Sequence, residues 1–315
     1  MTANRIVIAL GGNALQKKGE ASAIDQQRTA AETARQLVPL IAKGYQIVIV
    51  HGNGPQVGDI LLHEEAINTV EVPTLPLDSC VAMTQGSIGY WLQRAITNEL
   101  RVKGITRSVA TIVTQVVVDG SDPAFANPTK PIGPFYNTES ESRAAAESRK
   151  FVVKEDAGRG WRRVVPSPVP KYIVEKPIIE TLINDGFVVI AAGGGGVPVI
   201  ETDQGLRGVE AVIDKDMSAA VLADVIDAEL LLILTSIDAV TIHFLTPQEE
   251  PIGNISYEDM QKYCDAGEFA PGSMLPKVMA SIDFVKKQRG NRKAIIASLE
   301  TVQSAMSGVT GTTIS

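Results

Sequence analysis

The sequence predicts an α/β protein built as a three-layer αβα sandwich with an open, mainly parallel central sheet. Two observations support this prediction. Several short runs rich in β-branched residues are almost continuously apolar, which is typical of strands covered on both faces. Helical patterns lie between these runs, and such an alternation predicts a parallel sheet between two helix layers. With 315 residues, the chain is long enough to bury a large core.

Six apolar runs are predicted as strands of this sheet. Their high content of valine and isoleucine favours strand over helix, and turn residues bound most of them. In chain order they are RIVIAL, YQIVIV, SVATIVTQVVV, FVVIAA, ELLLIL and KAIIASL.

Helical patterns fill the segments between the strands. One apolar stripe is formed by Ala30, Ala34, Leu37, Val38 and Ile41. We predict that this helix is kinked at Pro39 and closed by Gly44. A second stripe comprises Ile88, Trp91, Leu92, Ala95 and Ile96. A third helix is predicted to follow Asp214, which is a suitable N-cap.

One region interrupts this alternation. Residues 119–166 are polar and rich in proline and glycine, and we predict that they form a protruding lid subdomain inserted into a single domain of residues 1–315. A long irregular loop is the alternative, but the aromatic residues of the segment favour order. Within it, ESESRAAAESRK is predicted as a short charged helix. WRRVVP is predicted as an edge strand on which Arg162 and Arg163 are solvated, with substrate binding by this pair as the alternative.

Composition excludes several classes of function. The formal net charge of −7 argues against a nucleic-acid partner or a general affinity for anionic membranes. No apolar run reaches the length of a membrane span, and the N-terminal run is too short for a signal peptide, so a cytoplasmic protein is expected. Cys80 and Cys264 match no metal-ligand spacing and are expected to be buried thiols.

Glycine-rich turns follow three of the predicted strands, in ALGGNAL, VHGNGPQVG and AAGGGGVPV. In open α/β sheets, ligands bind beyond the carboxyl ends of the strands, and glycine lets backbone N–H groups approach an anion. Three such turns on one sheet predict a shared phosphate pocket. None matches the P-loop or the dinucleotide fingerprint, which disfavours a conventional P-loop NTPase or a nicotinamide enzyme.

Two lysines lie at predicted helix starts, where the helix dipole disfavours a cation by roughly 0.3–1 kcal/mol. Lys215 follows the N-cap Asp214, and Lys277 follows Pro276, a predicted first helical residue. A single lysine of this kind is ordinarily a solvated surface residue. Two of them indicate an anion held between them, and Asp216 is predicted to pair with both ammonium groups and to aim them.

At these residues the sequence resembles the carbamate kinases, a branch of the amino acid kinase superfamily. The resemblance extends over essentially the whole chain, and the insertion motif NPTKPIGPFY is especially specific. Further shared motifs are PLDSCVAMTQGSIGYWLQ, DPAFANPTKPIGPFY, GWRRVVPSP, VIDKDMSAAVLA and GSMLPKV. The resemblance implies an eight-stranded, largely parallel sheet, a subdomain that projects over the site, and a homodimer.

The reaction implied by the resemblance is a reversible phosphoryl transfer in which carbamoyl phosphate and ADP give carbamate and ATP, with Mg²⁺. Lys215 and Lys277 would flank the phosphoryl group, Asp216 would organise them, and Lys130 would reach the carbamoyl end as the lid closes. Donors around the substrate are expected from Gly11, Gly12, Asn13, Gly52, Asn53 and Gly54. The nucleotide site is expected to include Gly194, Gly195, Thr235, Asp238, Thr241 and Met274.

The resemblance also concerns the metal and the pathway. Mg²⁺ is expected to be held by phosphate oxygens and water, without a dedicated protein metal site. The family's chemistry favours ATP synthesis during arginine or related nitrogen catabolism. Ala9 stands where acyl-phosphate-making relatives often carry a lysine, a cation that Lys215 is expected to replace. Thr241 stands where the family tends to have a tyrosine near the adenine.

Other interpretations remain open at the level of sequence. His51 could be a general base, but transfer from an acyl phosphate needs none, so a structural role is favoured. His63 and His243 are expected to be surface residues or local hydrogen-bonding residues, and Met274 also fits the pattern of core filler. The alternative functions are another phosphotransferase of the amino acid kinase superfamily and a non-catalytic sensor of carbamoyl phosphate or nucleotide.

Overall fold

A computed structural model describes residues 5–17, 19–156, 160–287 and 291–315, with only the backbone of Asn13. Its helices are α1 Ala23–Ala42, α2 Gly54–Ala66, α3 Leu77–Val102, α4 Glu139–Arg149, α5 Lys176–Asn184, α6 Lys215–Val225, α7 Tyr257–Asp265, α8 Met274–Val285 and α9 Val302–Met306. Its strands are β1 Arg5–Leu10, β2 Gln46–His51, β3 Val109–Thr111, β4 Gln115–Val118, β5 Lys130–Tyr136, β6 Val152–Glu155, β7 Trp161–Val165, β8 Pro170–Ile173, β9 Val188–Ile190, β10 Val197–Thr202, β11 Gly205–Gly208, β12 Leu230–Thr235, β13 Thr241–Ile242, β14 Glu250–Pro251, β15 Asn254–Ile255, β16 Lys293–Ser298 and β17 Thr312–Ile314.

The central sheet has eight strands in the order β15-β17-β16-β12-β1-β2-β9-β3. All neighbours are parallel except β16 and β17, which are antiparallel. Side chains of β1 alternate between two apolar clusters, with Val7 and Ala9 on one face and Ile6, Ile8 and Leu10 on the other. Helices cover both faces, so the predicted three-layer αβα sandwich with a mainly parallel sheet is confirmed.

The predicted helix stripes also form. Helix α1 continues through Pro39 to Ala42, so the proline does not end it, and the chain turns at Gly44 with φ of 88°. The second stripe belongs to α3, in which Ile88, Leu92 and Ile96 are buried. None of the described helices combines the length and the apolar character needed to cross a membrane.

The run SVATIVTQVVV was predicted as one strand, and this is wrong. Its first part is β3 of the central sheet, whereas its second part is β4 of a separate four-stranded sheet in the order β11-β10-β4-β8. Between the two parts, the side chain of Gln85 accepts the N–H of Thr114 at 2.7 Å and donates to its carbonyl at 3.0 Å. Because a side chain of α3 takes the N–H of Thr114, the strand is interrupted there.

The inserted segment contains the three-stranded sheet β5-β7-β6 and the predicted helix α4. Strand β7, from WRRVVP, lies in the middle of this sheet and not at its edge, which corrects the prediction. The insertion packs on α2, where a Cβ atom built on Gly58 would lie 2.1 Å from the Cα of Gly133. Ile132 and Val165 join Val57 and Leu61 in one apolar cluster. The insertion therefore rests against the body, and its action as a lid stays a prediction.

Candidate active site

Two of the glycine turns are joined to neighbouring strands at the carboxyl edge of the central sheet. The N–H of Gly11 donates to the carbonyl of Leu234 at 2.8 Å, and the N–H of Gly52 donates to the carbonyl of Leu10 at 3.2 Å. Both amides were expected to be donors to the substrate. These two N–H groups extend the strand pairing of β12, β1 and β2, so they already have backbone acceptors. A contact of Gly11 or Gly52 with the substrate stays a prediction.

The remaining residues of the first turn lie beside this junction. Gly12 is exposed and opens a short 3₁₀ turn, Gly12–Ala14, so its position is open to a ligand. The backbone of Asn13 lies in the same turn, whereas the side chain of Asn13 lies outside the described residues. Its role as a donor to the substrate stays a prediction.

The second turn is fixed by α3 and by the third glycine turn. Asn53 is buried, and its side-chain amide donates to the hydroxyl of Thr84 at 2.9 Å. Gly194 has φ of 66°, and a Cβ atom built there would lie 2.2 Å from the Nδ2 of Asn53. Only glycine accommodates both the positive φ and this close approach. Gly194 and Gly195 are both buried, and a contact between them and a nucleotide stays a prediction.

Helix α6 presents the first cation of the site. Asp214 is its N-cap, as predicted, and one carboxylate oxygen, Oδ1, accepts the N–H groups of Asp216 and Met217 at 2.9 and 3.4 Å. Lys215 is the first residue of the helix, and its stem lies against Gly52, with Cδ 3.3 Å from a Cβ atom built on that glycine. The start of α6 and the turn after β2 are thus in direct contact.

Asp216 pairs with both lysines, which confirms the prediction made from their placement. The Nζ of Lys215 donates to its Oδ1 at 2.7 Å, and the Nζ of Lys277 donates to its Oδ2 at 2.9 Å. The carboxylate is only 1% exposed. One buried carboxylate therefore holds two ammonium groups side by side at the carboxyl edge of the sheet.

The electrostatics of this trio are dominated by burial and by mutual attraction. Burial opposes ionisation of Asp216, but the two adjacent ammonium groups outweigh it and lower the pKa of the carboxyl below its ordinary value. Burial lowers the pKa of Lys215. At Lys277 the attraction of Asp216 outweighs burial and raises the pKa of the ammonium group. Asp216 therefore carries its negative charge at neutral pH.

Lys277 lies in the first turn of its helix, but Pro276 is not the first helical residue. Helix α8 begins at Met274, which makes Pro276 the third residue. The N–H of Leu275 donates to the carbonyl of Ala270, and Met274 and Leu275 precede the proline in the helix. Proline is tolerated there because the first N–H groups of a helix lack intrahelical partners.

Lys130, the first residue of β5, brings a third cation from the insertion. Its Nζ forms an ion pair with the Oδ2 of Asp214. The neighbouring residue Pro131 approaches the second turn, since its carbonyl oxygen lies 3.5 Å from a Cβ atom built on Gly54. Three ammonium groups thus share two carboxylates, Asp214 and Asp216, which leaves one positive charge in excess. Such a cluster can hold a polyanion.

Comparison with known proteins places the chain in a family. The model of the amino acid kinase family matches residues 4–298. Carbamate kinase from Pyrococcus horikoshii is 50% identical over 312 residues, and carbamate kinase 1 from Enterococcus faecium is 51% identical over 312 residues. Both alignments cover 98% of each chain. The chain belongs to the amino acid kinase family, among its carbamate kinases.

Solved structures agree with this membership. Carbamate kinase from Giardia lamblia bound to citric acid has a TM-score of 0.94 at 39% identity. The same protein bound to AMP-PNP has a TM-score of 0.89 at 40% identity. Each alignment covers 99% of this chain and 98% of the other. As a member of the amino acid kinase family, the chain is a phosphotransferase.

Most residues expected at the family's nucleotide site lie at the end of β12 or after it in the chain. Thr235 lies beside the first turn, since its Cα is 3.4 Å from a Cβ atom built on Gly11. Asp238 is exposed and accepts a hydrogen bond from Thr301 at 3.3 Å, and Thr241 pairs with Pro251 in the β13-β14 ladder. Met274 is half-buried against the core, in agreement with its interpretation as core filler. The nucleotide roles of these four residues stay predictions.

Arginine residues of the insertion were placed wrongly from sequence. Arg162 was predicted to be solvated, yet it is 7% exposed, and its Nε and Nη2 donate to the carbonyl of Gly133 at 3.0 and 2.7 Å. It also pairs with Asp156. Arg163 is half-buried and pairs with Glu65 of α2 at 2.6 Å. Both differences arise because β7 is a central strand, so its side chains are covered by neighbouring strands and by α2.

The histidines agree with the interpretations favoured from sequence. His51 is completely buried, and burial lowers its pKa to about 4. Its Nδ1 lies 2.9 Å from the carbonyl oxygen of Gly52, so the neutral ring is bound to the backbone. His63 and His243 are exposed. Of the thiols, Cys80 is buried as expected, whereas Cys264 is only partly buried.

Two residues that hold the site were not identified as such from sequence. Thr84 binds the side chain of Asn53, and Asp214 was recognised only as a helix cap. No sequence signal marks Thr84, because its role depends on a contact between α3 and the turn after β2. For Asp214, the aspartate–lysine–aspartate triplet offered a signal, since its first carboxylate also requires a cation when buried.

Proposed function

We propose that this chain is a carbamate kinase that transfers a phosphoryl group reversibly between carbamoyl phosphate and ADP, giving ATP and carbamate. The observation that carries the proposal is the pair of lysines, Lys215 and Lys277, held on one buried carboxylate at the carboxyl edge of the sheet. Identity of about 50% to carbamate kinases over almost the whole chain supports it.

The proposed chemistry explains why the site carries lysines and no general base. An oxygen of the ADP β-phosphate is already ionised, and it attacks phosphorus while the bond from phosphorus to the carbamate oxygen breaks. The carbamate leaves as an anion, so no proton has to be removed. Negative charge in the transition state is spread over the equatorial oxygens, and the two fixed ammonium groups stabilise it.

Each end of the transferred group has its own proposed partners. Lys130 is proposed to face the carbamoyl end, because it enters the cluster from the insertion side, where the adjacent Pro131 approaches Gly54. The nucleotide is proposed to lie on the opposite side, beyond β12, near Thr235, Asp238 and Thr241. The Giardia lamblia relative bound to AMP-PNP supports nucleotide binding in this fold. Closure of the insertion would exclude water, which otherwise competes as phosphoryl acceptor.

Magnesium is proposed to enter the site with the nucleotide. Among the described residues, no group of three His, Cys, Asp or Glu side chains could hold a metal ion, and both carboxylates of the cluster accept ammonium groups. The donor set therefore does not fit a resident cation. Mg²⁺ would instead be coordinated by phosphate oxygens and water, and when bound it neutralises part of the phosphate charge.

A homodimer is proposed from membership in the carbamate kinases, and sedimentation of the purified chain tests it. The same resemblance supports ATP synthesis during arginine or related nitrogen catabolism as the cellular role.

A coupled assay tests the proposed reaction. The purified chain is given carbamoyl phosphate, ADP and Mg²⁺, and ATP is measured as it forms. We expect continuous ATP formation that the Lys277→Ala variant has largely lost. Absence of ATP combined with turnover on a carboxylate or a nucleoside monophosphate would favour another amino acid kinase. Tight ADP binding without any turnover would favour a sensor.

A further inference from the structure

The two carboxylate oxygens of Asp214 have different partners. Oδ1 accepts the N–H groups of Asp216 and Met217 and thereby caps helix α6. Oδ2 accepts the ammonium group of Lys130, which belongs to the insertion. The carboxylate and the lysine are both largely withdrawn from solvent, with side-chain exposures of 17% and 26%. One side chain thus connects the body and the insertion at the edge of the site.

We propose that Asp214 is a positioning residue for the reaction, which fixes the ammonium group of Lys130 for the carbamoyl end of the substrate. This inference rests on the proposed function and assigns to Asp214 a role beyond helix capping. Asp214 acts through Lys130, and it is not assigned a contact with the substrate.

Helix capping alone does not explain the choice of residue. Serine and asparagine cap helices about as well as aspartate, because a single side-chain oxygen satisfies the free N–H groups. A carboxylate that is withdrawn from water requires a cation, and Lys130 provides it. The ion pair with Lys130 and the nearby charge of Lys215 keep the pKa of Asp214 below its ordinary value despite burial. The Oδ2 oxygen of Asp214 therefore has a role separate from helix capping, which is to hold the ammonium group of Lys130.

The geometry suits a positioning role. A lysine ammonium has three N–H donors, so one can bind Asp214 while the others face a ligand. The side chain of lysine has many rotamers, and an ammonium group held in advance loses less freedom when the substrate binds. Because Asp214 directly precedes Lys215, it fixes Lys130 relative to the cations of the body.

The Asp214→Asn variant separates the two uses of the side chain. Asparagine keeps an oxygen for the helix N–H groups and replaces the other oxygen by an amide, which cannot accept from an ammonium group. We expect the KM for carbamoyl phosphate to rise about tenfold, as for loss of a charge-assisted hydrogen bond, with the KM for ADP within about twofold. The unfolding midpoint should stay close to that of the original chain, since the cap is retained.

Asp259→Asn is the matched control. It removes a carboxylate that accepts from Lys262 at 2.8 Å on the exposed face of helix α7, and both kinetic constants should stay unchanged. An unchanged or a lowered KM for carbamoyl phosphate in Asp214→Asn would overturn the proposal, because Asp214 would then be only a cap or a competitor for Lys130.

A double-mutant cycle tests whether Asp214 acts through Lys130. In a Lys130→Met background, the further change Asp214→Asn should leave the KM for carbamoyl phosphate within about twofold, because the positioned group is already absent. A full additional tenfold rise would show that Asp214 acts on the substrate by another route, which contradicts the proposal.

Hydrogen exchange without substrate gives a readout that does not depend on activity. Amides of β5 should exchange several-fold faster in Asp214→Asn, because the insertion has lost its ion pair to the body. If Asp214→Asn does not fold, Lys130→Gln breaks the same pair with the cap intact, and the same acceleration is expected. Unchanged exchange in the folded variant overturns the proposal. Failure of the proposed function would instead appear as absence of ATP formation by the original chain.

Discussion

The cations of the site reach it in two different ways. Lys215 and Lys277 lie in the first turns of helices that pack into the main core, and both are fixed on the buried carboxylate of Asp216. Lys130 belongs to the insertion, and in the described part of the chain its ammonium group is held by Asp214 alone. The first two are part of the rigid body, whereas the third depends on where the insertion lies.

This difference shows how one site can both stabilise the transferred phosphoryl group and admit the substrate. A permanent pair of ammonium groups stabilises charge at the phosphorus without reorganisation at the moment of transfer. A cation on a separately packed element can leave with that element and admit the substrate. The apolar cluster under the insertion is small compared with the main core, which favours local opening there.

The largest effect should come from breaking the permanent pair. We expect Lys215→Ala and Lys277→Ala each to lower kcat by about a hundredfold or more, because each removes one positioned donor to the transition state. Steady-state rates in the coupled assay measure this, with unfolding midpoints to confirm that the variants are folded. A folded variant with kcat within about threefold of the original would remove that lysine from the proposed mechanism.

Removing the cation of the insertion should have a smaller and more selective effect. Lys130→Ala is expected to lower kcat/KM for carbamoyl phosphate about thirtyfold, because one charge-assisted contact to the substrate is lost. The KM for ADP should change by less than about twofold. Equal losses for both substrates would show that Lys130 supports the whole site and not the carbamoyl end.

Displacing the insertion without touching any charge sharpens the comparison further. Gly58→Ala places a methyl group 2.1 Å from the Cα of Gly133, so the backbone of α2 or β5 must move. We expect kcat/KM for carbamoyl phosphate to fall about tenfold through the shift of Lys130, as core overpacking typically costs about 1–3 kcal/mol. Gly86→Ala on α3 is the control, because nothing lies within 4 Å of the added carbon. Similar kinetics for both variants would contradict this dependence on position.

The smallest expected effect concerns how the stability of the body depends on pH. Burial lowers the pKa of His51 to about 4, below the value near 6.5 of an exposed histidine. The unfolded chain therefore binds this proton first as pH falls, and the free energy of unfolding decreases between these two values. From pH 7.5 to 5.5 the loss should exceed that of His51→Gln by about 1 kcal/mol in urea titrations. Parallel pH dependence in the two proteins would exclude this contribution of His51.

Local patterns in the sequence were sufficient for the layers and for the lysine pair. Strand and helix periodicity predicted the αβα order. The helix cap at Asp214 and two lysines at helix starts, where a cation is disfavoured, predicted that Asp216 pairs with both lysines. These features are determined by residues close in sequence or by an electrostatic conflict that only an opposite charge resolves. Lys130 was identified from the family resemblance, since no local rule places an insertion residue in a distant site.

What could not be predicted depends on contacts between distant elements. The break at Thr114 is caused by Gln85 on another element, and the use of the Gly11 amide depends on β12 lying next to β1. Arg162 is buried because of the order of strands in the small sheet. Each of these is a choice among tertiary arrangements that satisfy the same local pattern equally well.

The attachment of the insertion has a consequence for how this protein tolerates change in length. The chain leaves the four-stranded sheet after β4 and returns to it at β8. These two strands are antiparallel partners, with Val118 opposite Pro170. The whole excursion therefore replaces what would be an ordinary hairpin turn. Since doubling a closed loop costs only about 0.6 kcal/mol in chain entropy, the excursion can be lengthened, shortened or exchanged while the connectivity of the layers behind it stays the same.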